Sequence, residues 1–137
     1  MRRVTADTNV IVSALMFGGK PLAILDLAQA GDIELALSDG IMNETLRILR
    51  DKFYRSPAQI EEIRSHLRAI TTAVEPTEKL DVVKSDRDDN KILECAVAAG
   101  SEMIITGDDD LLRLRNFQGI KIRKPADFLA GFQAGTR

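Results

Sequence analysis

Val4-Thr5-Ala6-Asp7-Thr8-Asn9 is a run of β-favouring residues that stops on a carboxylate, and an apolar helical pattern begins at Val10. This order predicts a strand that delivers Asp7 to a strand-to-helix turn. In an open parallel sheet that turn lies at the carboxyl edge, where ligands bind. The question for the remaining sequence is which other side chains reach the same edge.

Working outward, Ile11, Val12, Leu15 and Met16 predict a first helix ended by Gly18-Gly19, and Pro21 starts a second that Gly31 stops. Ile33 to Leu37 is a short apolar strand. A third helix is expected from about Ile41 to Phe53, capped by Ser38 or Asp39, and a fourth from Pro57 to Ile70. Thr72 to Val74 is a brief strand closed by Pro76. From Glu78 to Asp89 the chain reads as loop, followed by a helix through Ile92, Leu93, Ala96, Val97 and Ala99 that ends at Gly100. Met103 to Thr106 is the clearest buried strand, followed by a short helix at Leu111 to Leu114. Ile120 to Ile122 is a last strand, and Pro125 opens a terminal helix through Phe132. Strands alternating with helices predict an α/β fold, a parallel sheet covered on both faces.

With 137 residues, 45% hydrophobic and 29% charged, the chain is expected to form one domain over residues 1–137. No apolar run reaches the roughly 18 residues of a membrane span, and Met1-Arg2-Arg3 leads straight into a strand, so a cytoplasmic location with no membrane partner is expected. The single cysteine, Cys95, sits in an apolar helical pattern and reads as a buried small residue. The single histidine, His66, lies among charged helix residues and reads as solvent-facing. One cysteine and one histidine exclude a thiolate cluster and a His-rich zinc site and make a Ser-His triad improbable. The net charge of −2 supplies no global attraction to nucleic acid. A polyanionic substrate would have to be held by metal and by local arginines and lysines.

Acids recur where the predicted strands end and the helices begin. Asp7 ends the first strand and Glu44 lies near the start of the third helix. Asp86, Asp88 and Asp89 precede the next helix, and Asp108, Asp109 and Asp110 follow the clearest strand. Right-handed crossovers bring all four groups to one edge. Taken singly, Asp39, Asp88 and Asp109 suit caps and turns. As a set, carboxylates within a few ångströms repel by roughly 4 kcal/mol per pair at 4 Å and an effective dielectric near 20. A hard divalent cation with oxygen ligands, Mg²⁺ or Mn²⁺, is the natural counter-charge, and such a site can activate water against phosphorus.

These residues resemble the acidic motifs of PIN domains: Asp7-Thr8-Asn9 after an N-terminal strand, Glu44 in a helix, Asp86-Arg87-Asp88-Asp89-Asn90-Lys91 before an Ala-rich helix, and Thr106-Gly107-Asp108-Asp109-Asp110-Leu111. The likeness covers nearly the whole chain, which closely resembles the bacterial PIN toxins of toxin–antitoxin systems, relatives of VapC. The resemblance implies a three-layer α/β/α sandwich with a parallel, roughly five-stranded sheet, and a Mg²⁺- or Mn²⁺-dependent endoribonuclease acting on single-stranded RNA. It implies Asp7, Glu44, Asp89 and Asp108 as catalytic metal-site acids, Asp110 as a fifth ligand, and Asn9, Ser38 and Thr106 as supporting residues. It also implies a cognate antitoxin protein and a homodimer.

For the substrate, Arg47 and Arg50 follow Glu44 on the same helix and are candidates to hold RNA phosphates; a solvated charged face is the plain alternative. Two other functions compete. A haloacid-dehalogenase-like phosphatase also starts from a strand-end Asp, but its chemistry wants a second acid two residues on, where this chain has Asn9. A non-catalytic PIN module binding RNA or protein is the third, against which the full set of acids argues.

Overall fold

In the computed structural model, which describes residues 2–83 and 87–134, Arg2–Ala6 forms strand β1 at the middle of the sheet. Val4, Thr5 and Ala6 are buried in succession, so both faces of β1 are covered. Its neighbours are β2 (Ile33–Ser38) on one side and β4 (Met103–Ile105) on the other, both parallel to it. The sheet continues outward to β3 (Thr71–Val74) beyond β2, and to β6 (Ile120–Arg123) beyond β4. These five strands are parallel, as the alternation of strand and helix predicts.

A sixth strand, β5 (Asn116–Phe117), was not expected; it pairs antiparallel with β6 at the edge. Gln118 and Gly119 turn the chain with φ of 51° and 83°, the positive pair that a two-residue hairpin needs. Two residues are too short to leave an alternating pattern in a sequence.

The connections are helical: α1 (Thr8–Phe17) and α2 (Gly19–Ala30) between β1 and β2, α3 (Asp39–Asp51) and α4 (Pro57–Ile70) between β2 and β3. Then come α5 (Arg87–Ala99) before β4, α6 (Asp109–Leu114) after it, and α7 (Pro125–Ala134) at the end. Gly18 and Gly19, with φ of 74° and 66°, let α1 and α2 bend by 99° onto each other. Ser38 caps α3 through its hydroxyl, which accepts from Ile41 N at 3.3 Å, so of the two expected caps it is Ser38 that serves. Among the described residues no single helix is long and apolar enough to cross a membrane.

α5 lies across β1, β2, β3 and β4 and presents Leu93, Cys95 and Ala96, all fully buried. Cys95 is therefore a core residue, as expected, and His66 is exposed. The helix begins at Arg87, not after Asp89, which corrects the expected loop: Asp88 and Asp89 belong to its first turn. Acidic side chains are favourable there, against the positive end of the helix dipole. Asp86, the first acid of that motif, lies outside the described residues.

The strand order β3-β2-β1-β4-β6 reverses direction between β1 and β4. At such a switch point the two following connections leave toward opposite sides and open a crevice at the carboxyl edge. Ala6 is in register with Ile105, so the residues after both strands emerge side by side at that crevice.

Candidate active site

Asp7 sits directly above the switch point. Its backbone N–H donates to Ile105 O at 3.0 Å, which carries the pairing one residue past β1. Its Oδ1 accepts from Val10 N at 2.9 Å and so caps α1, while Oδ2 accepts a short hydrogen bond from the Thr106 hydroxyl. Asp7 is 4% exposed. Burial pushes its carboxyl above the ordinary range; the bonds from Thr106 and Val10 oppose this, and the charge of Asp108 adds to it.

Thr106 joins two acids. The oxygen that donates to Asp7 also accepts from Asp108 N at 2.9 Å. Asp108 in turn caps α6, its Oδ1 accepting from Asp110 N at 2.8 Å and Leu111 N at 3.1 Å. Asp89, buried in the first turn of α5, completes this side: Asp89, Asp108 and Asp110 each offer a carboxylate oxygen, all within 4.8 Å of one another. Asp110 also pairs with Arg113 at 2.6 Å.

The opposite group is built on α3. Glu44 accepts from the Thr8 hydroxyl at 2.6 Å and lies 3.8 Å from Arg47. Its carboxyl also interacts with that of Asp88 through a side-chain hydrogen bond. Burial first, and then Asp88, raise Glu44, whereas the hydrogen bond with Glu44 holds Asp88 low. Lys91 lies 3.3 Å from Asp88 and helps to keep it ionised.

Both groups open into one cleft of about 250 Å³, whose walls include Asp7, Glu44, Asp88, Asp89 and Asp108. Asn9 and Arg47 also line it. Asp110 belongs to the acidic triplet but is not among the residues lining the cleft, and Arg50 is turned away to pair with Asp51 at 2.7 Å. Ser38 lies outside the cleft; its contact is the cap on α3, the helix that carries Glu44. The sequence brought Asp7, Glu44, Asp89 and Asp108 to one edge, and the structure places all four in that cleft.

Two cleft residues were not singled out as site residues in the sequence. Asp88 read as a cap, yet its carboxyl faces Glu44. Thr8 read only as part of the strand-to-helix turn after Asp7, yet its hydroxyl is the donor on Glu44. For Asp88 a signal existed: once the helix is allowed to begin at Arg87, positions 88 and 89 fall in one turn and neither is forced to be a cap.

Chemically, the donor set is all oxygen, with no thiolate or imidazole lining the cleft. Three carboxylates within 4.8 Å of one another suit a hard divalent cation, which would relieve the mutual repulsion and the raised pKa of the neighbouring Asp7. A family model described as PIN domain matches residues 3–110. No curated protein matches the chain.

Proposed function

The chain belongs to the PIN-domain family, and on that premise we propose that it is a Mg²⁺- or Mn²⁺-dependent endoribonuclease that hydrolyses phosphodiesters of single-stranded RNA. The observation that carries the reading is the meeting of Asp7, Glu44, Asp88, Asp89 and Asp108 in one cleft at the sheet's switch point. Acids from four separate connections crowd there at a cost that a cation offsets.

Asp89, Asp108 and Asp110 would hold the ion, with Asp7 beside them through Thr106. When bound, the ion would supply an acidified water and neutralise charge building on phosphate oxygens. The protein's own groups do the rest. Val10 N and Thr106 fix the rotamer of Asp7, so its oxygens do not reorganise during turnover. Burial, and then Asp88, raise the Glu44 carboxyl above its ordinary range, which suits it to exchange a proton with an oxygen that must gain or lose one as the P–O bond breaks. Arg47, at the rim, offers a planar fork to a non-bridging phosphate oxygen. Asn9, exposed on the first turn of α1, is placed to orient water or phosphate.

The phosphatase alternative loses ground on geometry. A nucleophilic aspartate must present an oxygen to phosphorus, whereas Asp7 is 4% exposed and both of its oxygens accept hydrogen bonds from the protein. The likeness to toxin relatives further suggests a cytoplasmic toxin whose antitoxin covers the acidic cleft, working as a homodimer. These roles rest on the family analogy.

The test compares wild type with Asp7→Asn on mixed cellular RNA with Mg²⁺, with Mn²⁺ and with a chelator. New 5′ ends that need metal and vanish in the variant support the reading, and sequencing them identifies the target. Absence of cleavage under every metal condition would leave a non-catalytic RNA- or protein-binding module.

A further inference from the structure

We infer that the groove between α3 and α4 is the track along which a single RNA strand leaves the acidic cleft, with its phosphates held by Arg47, Arg50 and Arg64. This rests on the nuclease reading and extends it from the scissile bond to the neighbouring nucleotides. Asn43, Leu46, Arg47 and Arg50 stand at the spacing of one helical face, and that face meets Ile60 and Arg64 of α4 around a cavity of about 310 Å³. Arg47 lines both this groove and the acidic cleft, so the two spaces adjoin at its side chain. Along α3, at about 1.5 Å per residue, Arg47 and Arg50 stand roughly 4.5 and 9 Å beyond Glu44.

The charges are arranged for exchange. The Arg47, Arg50 and Arg64 side chains are 56%, 63% and 35% exposed, and their partners are Glu44 at 3.8 Å, Asp51 at 2.7 Å and Glu61 at 3.1 Å. The pairs of Arg50 with Asp51 and Arg64 with Glu61 lie toward solvent and hold weakly, and Arg47 stands at 3.8 Å from Glu44, while a phosphate gives a guanidinium a bidentate, charge-assisted partner. The need for such a track follows from the cleft itself. It is lined by five acids in a protein of net charge −2, so a polyanion arriving there without help is repelled. The floor is apolar, Leu46 being buried and Ile60 half-buried, which suits the sugar and base edges of a single strand. Packed helices stand about 8 to 10 Å apart, too close to admit a duplex. Arg64 is the new member of the set: on a charged helix face nothing in the sequence distinguishes it from its neighbours.

The experiment measures binding of a short, fluorescently labelled, mixed-sequence single-stranded RNA by anisotropy across a sodium chloride series. It is done in an Asp7→Asn background with Mg²⁺ present so that nothing is cut. Each phosphate contact on a single strand contributes about 0.7 to the slope of log affinity against log salt. Replacing Arg50→Gln and Arg64→Gln together should lower that slope by about 1.4 and weaken binding about tenfold at low salt. Each single change should give about half the slope change, and Arg50→Lys with Arg64→Lys should restore most of it. Unchanged affinity and slope in the double variant would overturn the track, as would an equal loss for duplex RNA of the same sequence. The nuclease reading is judged separately. If wild type binds with an arginine-dependent slope yet cuts nothing with Mg²⁺ or Mn²⁺, that reading falls and the groove stands.

Discussion

Thr106 and Asp7 lie 99 residues apart in sequence, and the Thr106 hydroxyl donates to Asp7 Oδ2 while its oxygen accepts from Asp108 N. One hydroxyl thus sets the separation of two acids that arise from adjacent strands. Thr106→Val keeps the shape, removes the donor from Asp7 and strands the Asp108 N–H. We expect about 10- to 100-fold weaker apparent Mn²⁺ affinity or activity, the usual scale for a residue that orients a metal ligand. Stability should fall by about 1–3 kcal/mol. Thr106→Ser should recover most of both, as read by Mn²⁺ titration of RNA cleavage and by urea unfolding.

Asp7 itself should trade stability for function. Its folded-state pKa is raised, chiefly by burial, so the folded protein binds this proton more tightly than the unfolded chain does. Stability of the metal-free protein is then highest below the ordinary aspartate pKa. It declines as pH rises from there through the folded-state value, and the penalty is complete only above that value. Asp7→Asn removes the ionisation, so the metal-free variant should be more stable than wild type at neutral pH by on the order of 1 kcal/mol. That advantage should shrink as the solution is acidified, and the variant should be inactive. Thermal melts at several pH values in chelator decide it. A variant that melts below wild type at neutral pH would contradict the account.

The contrast between these residues shows how much was legible. Asp7, Asp89 and Asp108 could be brought together from sequence because each stands where a strand ends or a helix begins, and parallel topology gathers such positions at one edge. Gly18, Gly31 and Ser38 marked helix ends correctly because each carries a local physical signal: positive φ at the glycines and a hydroxyl acceptor at Ser38. The start of α5 was hidden, since Arg87-Asp88-Asp89-Asn90 has no apolar residue to show a helical period, and so charged first-turn residues read as loop. The hydrogen bonds from Thr8 to Glu44 and from Thr106 to Asp7 join residues 36 and 99 apart. No local pattern announces them.

Cys95 should be chemically silent in the folded protein. It is 0% exposed, and burial pushes its thiol pKa up, with Thr5 and Ser38 opposing. Thiolate is the reactive form, so iodoacetamide at neutral pH should leave the native protein unlabelled. Labelling should appear in urea in step with loss of the circular dichroism signal. Rapid labelling without denaturant would show that α5 opens away from the sheet.

Asp88 should matter although it looked like a cap. Asp88→Ala removes the carboxyl that faces Glu44 and raises its pKa, and leaves Arg47 and Lys91 facing Glu44 alone. Glu44 would then ionise more readily and lose the geometry that the pair imposes. We expect kcat to fall by about 10² to 10⁴, the range for losing an acid–base group, with the melting temperature little changed. Asp109→Ala serves as the control: it removes an exposed acid of α6 that does not line the cleft and should leave kcat within a factor of two or so.

Asn90 should hold the approach to α5. Its Oδ1 accepts from Val82 N and Val83 N, both at 2.9 Å, and its Nδ2 donates to Val83 O at 2.9 Å. A buried amide thus stands in for the missing strand partner of this segment. Glu94 adds a second tie by accepting from Leu80 N at 2.8 Å. Each such bond contributes a net of about 1 kcal/mol, and leaving backbone groups buried without a partner costs more. Asn90→Ala should therefore destabilise the protein by about 2–4 kcal/mol. Hydrogen exchange should accelerate first at Leu80, Val82 and Val83. Asn90→Asp keeps the oxygen that accepts from Val82 N and Val83 N, loses the donor and sets another negative charge beside Asp89. It should cost less than alanine at acidic pH and approach it at neutral pH. Equal protection of Val82 and Val83 in wild type and Asn90→Ala would mean that the segment is held by something other than this amide.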